Sequence, residues 1–137
     1  MRTRFETEEF VRRSLGRDLQ TTLSKKKLQV GVSSTGQSRF HEFDCVSPDG
    51  QIVAEIKTNG LRATPQKPDG RYFSAIKWSL IGDLYMLSRV SAKRKHLVLT
   101  DEPLFKICSQ DMDGMLPENT QILLKTLPCD QLKAADA

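Results

Sequence analysis

The stretch from Phe43 to Lys57 limits what this chain can become more than any other. Two runs of alternating polar and apolar residues flank Pro48-Asp49-Gly50, which is the pattern of a half-buried β-hairpin. An even-numbered loop would pair Pro48 with Gln51 and Ser47 with Ile52, placing Asp44 opposite Glu55 and Glu42 opposite Lys57. The pleat then puts Glu42, Asp44, Glu55 and Lys57 on one face and Phe43, Cys45, Ile52, Ala54 and Ile56 on the other. Two carboxylates facing each other across a strand pair repel unless a cation lies between them. Oxygen ligands without His or Cys beside them suit Mg²⁺ or Mn²⁺. The same turn also fits a three-residue loop with Gly50 left-handed and a bulge, which would move Asp44 opposite Ala54. The even register, or a compensating bulge, is preferred because it lets the apolar residues of both strands share a face.

A chain of 137 residues has room for one domain with a real core and is too short for two. A single domain over 1–137 is expected, with its core at about 3–101 and additional elements at 103–130. With 38% hydrophobic and 28% charged residues, the composition is that of a soluble globular protein. No run is long and apolar enough to span a membrane, and Met1 to Glu6 lacks the apolar region of a signal peptide, so a cytoplasmic location is expected. The three cysteines, Cys45, Cys108 and Cys129, are odd in number and lack CxxC spacing. They support neither a disulfide framework nor a zinc site, and Cys45 reads as core. The net charge of +4 leans toward a polyanionic partner. Its distribution says more: Arg12, Arg13, Arg17, Lys25, Lys26 and Lys27 cluster early, and Lys93, Arg94 and Lys95 form a second group. Each cluster reads equally as a phosphate-binding patch or a solvated face.

Taken in order, Thr3 and Glu6 have the spacing of a capping box, and Val11, Leu15 and Leu19 keep helical periodicity to about Leu23. Glu8 falls near the same face, so an acid would point toward the packed side, or would simply favour the helix N-terminus beside Glu6 and Glu9. Lys27 to Val32 alternates as a strand and Ser33 to Ser38 is a turn. Thr58 to Gly70 reads as a long loop beside the charged face. From Tyr72 to about Val90, Ile76, Leu80, Leu84 and Leu87 form the apolar stripe of a second helix, with Lys77, Ile81 and Tyr85 as an adjacent stripe. Trp78 is expected to pack rather than stack on a ligand, and Lys77 to be a surface lysine or to reach the charged face or a phosphate. His96 to Thr100 reads as a buried strand that Asp101 and Pro103 end. Pro103 to Gln110 is a short helical piece, Gln121 to Leu127 a final strand, and the tail after Cys129 frayed.

The order helix, three strands, helix, strand, with Asp44 on the second strand and Glu55-Ile56-Lys57 on the third, resembles the PD-(D/E)xK superfamily of restriction-endonuclease-like nucleases. The resemblance covers about residues 3 to 101. It implies an α/β (α+β) sandwich with an αβββαβ core, a mixed central sheet flanked by helices. It also implies that Asp44 and Glu55 hold a divalent metal with the main-chain carbonyl of Ile56, that Lys57 orients or deprotonates the attacking water, and that Glu8, or Glu9 in its place, adds an acid from the first helix. Phe43 stands where the name-giving Pro would be, and no Gln-x-x-x-Tyr signature is visible on the second helix.

The function expected on these grounds is Mg²⁺- or Mn²⁺-dependent hydrolysis of DNA phosphodiesters. Arg12, Lys25, Lys26 and Lys77 are the candidate contacts to nucleic-acid phosphates, no membrane partner is expected, and a homodimer is the simplest way to cut both strands of a duplex. The alternative is a nucleic-acid-binding or protein-interaction module on the same fold without catalysis, in which Asp44, Glu55 and Lys57 form a structural ion-pair cluster. A Gly-rich phosphate loop, GxSxG and a His pair at metal spacing are all absent from the sequence.

Overall fold

The computed structural model describes residues 3–60 and 70–128, with side chains from 75 onward in the second stretch. The elements in chain order are α1 (Arg4–Asp18), β1 (Ser24–Val32), β2 (Ser38–Val46), β3 (Ile52–Lys57), α2 (Gly70–Ser88), β4 (Arg94–Leu99), α3 (Glu102–Asp111) and β5 (Thr120–Leu124). The strands form one sheet in the order β1-β2-β3-β4-β5. Pairing is antiparallel from β1 to β3 and parallel from β3 to β5, so the hairpin joins two halves of different kind. The result is an α+β fold with a mixed five-stranded sheet and helices on both faces. No helix among the described residues is long and apolar enough to cross a membrane.

Local chemistry accounts for most boundaries. Thr3 caps α1 by accepting a hydrogen bond from the Glu6 amide at 3.1 Å, one of the donors a helix start would otherwise leave without a partner. Asp101 does the same for α3 from the Leu104 amide at 3.0 Å, with Pro103 in the first turn. Strands β1 and β5 begin earlier than their alternation suggests, because Ser24–Lys26 and Thr120 are held by their neighbours in the sheet. The loop expected over Thr58 to Gly70 lies largely outside the described residues, as do the tail after Cys129 and Cys129 itself.

Two cores result. Val11 and Leu15 of α1 pack with Leu23, Cys45, Ala54, Ile56, Val98 and Leu127 on one face. On the other, Ile76, Leu80, Leu84 and Leu87 of α2 and Leu104 and Cys108 of α3 cover Phe43, Val46, Val53, Leu97 and Leu99. Cys45 is fully buried, as expected of a core residue, and burial pushes its thiol up to about 12. Trp78 departs from expectation. It is 73% exposed on the outer side of α2, near Ile81 and Tyr85, because the four-residue apolar stripe already fills the contact with the sheet.

Candidate active site

The hairpin adopts the even register. Cys45 pairs with Ala54 and Val46 with Val53, and the Ser47 amide donates to the Ile52 carbonyl at 3.0 Å. Gly50 is left-handed (φ 73°), so the conformation of the shorter-loop alternative occurs inside the longer loop. Asp49 braces the turn: its Oδ1 accepts from the Ser47 hydroxyl at 2.7 Å and the Gln51 amide at 3.1 Å, which holds its carboxyl below the usual range.

Pairing between β2 and β3 stops at Cys45–Ala54, and side chains take over from the backbone ladder. The Ile56 amide donates to Asp44 Oδ2 at 2.8 Å, and the Asp44 amide donates to Glu55 Oε1 at 3.3 Å. Asp44 and Glu55 are thus tied to each other's strand at the point where the strands part.

The division into faces needs correction. Ser24 pairs with Val46 and Lys26 with Phe43, so three steps along β2 match two along β1. This bulge around Asp44 and Cys45 turns Phe43 to the α2 face with Val46, while Cys45 stays on the α1 face. Helices cover both faces, so the apolar residues of the hairpin need not share one. Glu55 and Lys57 therefore lie beneath α2 on the same side as Phe43 and Val53. Glu42 is exposed and pairs along β1 with Lys27, not with Lys57.

Lys57 instead reaches α2. Its Nζ lies 3.0 Å from Asp83 Oδ2 and donates to the Ser79 hydroxyl at 2.7 Å. On the far side of Glu55, His41 Nε2 stands 3.6 Å from Oε2, its ring edge-on to Phe43 with centroids 4.7 Å apart. Asp83, Ser79 and His41 were not anticipated. The available signal was Asp83 itself, a charge set between Leu80, Leu84 and Leu87 inside the apolar stripe of α2, with Ser79 one turn before it.

The electrostatics are those of a site with too much negative charge for its burial. Glu55 is 7% exposed, and burial together with the neighbouring Asp44 and Asp83 pushes its carboxyl up to about 8, against weaker help from the Asp44 amide and Lys57. Burial also raises Asp83, with Lys57 opposing. Near neutral pH the Glu55 carboxyl holds a proton that a bound cation would have to displace.

The other expected residues lie elsewhere. Glu8 is buried, but its carboxylate goes to Arg4 at 3.2 Å and Lys25 at 3.7 Å rather than to Asp44 or Glu55. Glu9 pairs with Arg12 and Arg13. Arg12 is not a surface cation: its side chain is 7% exposed, and its Nε donates to the Asp44 carbonyl at 2.7 Å. Lys25 stands 5.5 Å from the Phe5 ring centroid, Lys26 is exposed on β1, and Lys77 bridges to Asp111 of α3 at 2.7 Å.

The donor set fits a hard divalent cation of limited demand. Among the described residues no three His, Cys, Asp or Glu side chains converge to hold a metal by themselves. Mg²⁺ asks for less, since it keeps several waters and is commonly held by one or two carboxylates together with substrate phosphates. Asp44 and Glu55 offer those two carboxylates, and the proton pressure on Glu55 marks a place where positive charge is wanted. No family model, curated protein or solved structure matches this chain.

Proposed function

We propose that this protein is a metal-dependent nuclease that hydrolyses DNA phosphodiesters at Asp44, Glu55 and Lys57. The observation that carries the reading is the pair of backbone-to-side-chain hydrogen bonds where β2 and β3 separate, the Asp44 amide to Glu55 Oε1 and the Ile56 amide to Asp44 Oδ2, with Lys57 two residues beyond Glu55 along β3. Asp44 and Glu55 would hold Mg²⁺ or Mn²⁺, with the Ile56 carbonyl as a further ligand. Such an ion supplies charge neutralisation for the pentavalent transition state and makes a water more acidic. Lys57 is held by Ser79 and Asp83, which fixes its ammonium for positioning the attacking water and for countering phosphate charge. Among the candidate phosphate contacts, Lys26 is exposed on an outer strand of the sheet, while Lys25 and Lys77 are equally exposed and each already meets a carboxylate, Glu8 and Asp111.

One observation favours a second reading, a binding module without catalysis on the same fold. The Lys57–Asp83 ion pair is satisfied within the protein, as a structural cluster would be. Plasmid and linear DNA incubated with Mg²⁺ or Mn²⁺ separate the two. The nuclease reading expects cutting by the wild type that Asp44→Ala and Lys57→Ala each abolish. Binding without cutting selects the module, and cutting that survives both substitutions removes the assignment of the site.

A further inference from the structure

Glu55 turns its two carboxylate oxygens to different neighbours. Oε1 accepts from the Asp44 amide at 3.3 Å, while Oε2 faces His41 Nε2 at 3.6 Å. The second separation is too long for a hydrogen bond, and Nε2 is buried without a hydrogen-bond partner. Other parts of the His41 side chain reach the surface: 31% of it is exposed against 9% for Glu55, so the pair lies at the solvent edge of the site.

Packing holds the imidazole in that orientation. Its ring stands edge-on to Phe43 at 78°, with centroids 4.7 Å apart, and the strand around it is fixed by pairing with Leu28 of β1. Phe43 is fully buried and Leu28 packs against the same core. A polar nitrogen buried without a partner costs stability, and here it is held beside a carboxylate oxygen it does not bond. Ligand atoms about 2.1 Å from one ion stand about 3.0 to 3.4 Å apart at octahedral and tetrahedral angles. Nε2 and Oε2 therefore need to close by only a few tenths of an ångström to share an ion.

We propose that His41 Nε2 is a ligand, beside Glu55 Oε2, of the divalent ion at this site, and that this nitrogen makes the site favour Mn²⁺ over Mg²⁺. The inference rests on the reading that Asp44 and Glu55 hold a metal, and it adds a ligand atom and a choice of ion. The oxygen-only donor set expected from the hairpin thus gains a nitrogen. A neutral imidazole carries its proton on one ring nitrogen and offers a lone pair on the other, so Nε2 serves with the proton on Nδ1. Imidazole suits transition-metal ions, whereas Mg²⁺ prefers oxygen and keeps its waters. Among the described residues no three His, Cys, Asp or Glu side chains converge, so water and substrate phosphate fill the positions that the protein leaves.

The test is electron paramagnetic resonance of Mn²⁺ titrated into the full chain without DNA. Loss of the free-ion signal measures binding, and pulsed spectra detect nitrogen bound directly to the ion. Nitrogen coupling is expected in the wild type and should vanish in His41→Gln. That substitution should lower Mn²⁺ affinity about tenfold or more, while Mg²⁺ affinity, read by competition, changes by less than about threefold. The other histidine, His96, shares the α1 face of the sheet with Ala54, so a nitrogen signal from this site belongs to His41. Because the ring packs on Phe43, His41→Phe, which keeps an aromatic ring there, must lose the coupling as well, with unchanged backbone amide resonances elsewhere reporting an intact fold. Mn²⁺ that binds and requires Glu55 but shows no nitrogen coupling, or a Mn²⁺ preference that His41→Gln leaves unchanged, would overturn the role of His41 and leave the carboxylate site standing. Mn²⁺ binding that is absent, or indifferent to Glu55→Gln, would remove the metal site, and with it both the nuclease reading and this inference. Nitrogen-coupled Mn²⁺ in a protein that cuts no DNA would keep His41 as a ligand and remove the nuclease reading alone.

Discussion

Two groups of charged side chains lie on opposite sides of the sheet, and Asp44 touches both. Toward α1, Glu8 and Glu9 meet Arg4, Arg12, Arg13 and Lys25, so bases outnumber acids and each carboxylate has two cations. Toward α2, Asp44, Glu55 and Asp83 share Lys57, with His41 at the edge. Both groups contain a largely buried glutamate; Glu55, which shares one lysine with two other carboxylates, has its carboxyl pushed up to about 8. What separates a structural charge cluster from a candidate reactive one is therefore the count of partners at a given burial, not the residue type.

The largest expected effect breaks the comparison on activity. Asp44→Ala and Lys57→Ala should each lower DNA cleavage by roughly 100-fold or more, the range for loss of a positioned catalytic group, while Glu8→Gln should leave it within about threefold. Equal losses in a gel-based cleavage assay would place Glu8 in the same site.

Next comes pH. The folded carboxyl of Glu55 is raised from 4.5 to about 8, so the folded state binds its proton more tightly than the unfolded chain does. Its contribution to stability is fully present below the unfolded value and is lost as pH rises through about 8. In metal-free protein, Glu55→Gln should therefore gain stability relative to wild type at alkaline pH, on the order of 5 kcal/mol. Near pH 4 it should gain little. Urea denaturation at both pH values measures the difference.

A smaller effect concerns metal. A cation that binds only the folded state raises its melting temperature, and a millimolar concentration at 100 times the dissociation constant is worth about 2.7 kcal/mol. Mn²⁺ should raise the melting temperature of wild type and of Glu8→Gln but not of Glu55→Gln, and the rise should grow with pH as the Glu55 proton becomes easier to displace. A shift that survives Glu55→Gln would locate the ion elsewhere.

The smallest expected change is at Trp78. With 73% of its surface exposed, Trp78→Ala should alter stability by no more than about 0.5 kcal/mol, as for surface substitutions generally. A loss several times larger in thermal unfolding would mean that the indole packs after all.

Much of the fold is readable along the chain because its signals are local. The Thr3 cap, the Asp101–Pro103 helix start, the alternation of β3 and the apolar stripe of α2 each depend on residues within one or two turns of one another. The hairpin register is only partly local: Pro48-Asp49-Gly50 fits two loop lengths, and the even one found here does not put the apolar residues of both strands on one face, which is the ground for preferring it from the sequence. The face of Phe43 is not local at all. Its flip depends on β1 matching two residues against three of β2, which no pattern within the hairpin reveals. Trp78 fails for a related reason: the helical stripe shows which residues could be buried, while the width of the sheet contact decides how many are.

By itself, the sequence determined the elements, their order and the candidates Asp44, Glu55 and Lys57, because backbone propensity, turn chemistry and strand periodicity act over short separations. Only the tertiary structure decided which charges share a site. It brought Asp83 and Ser79 of α2 to Lys57 and gave Glu8 to Arg4 and Lys25. It also buried Arg12 against the Asp44 carbonyl and Glu9. Coulomb energies and desolvation depend on distances and burial between segments far apart in the chain, and those are set only when the helices close over the sheet.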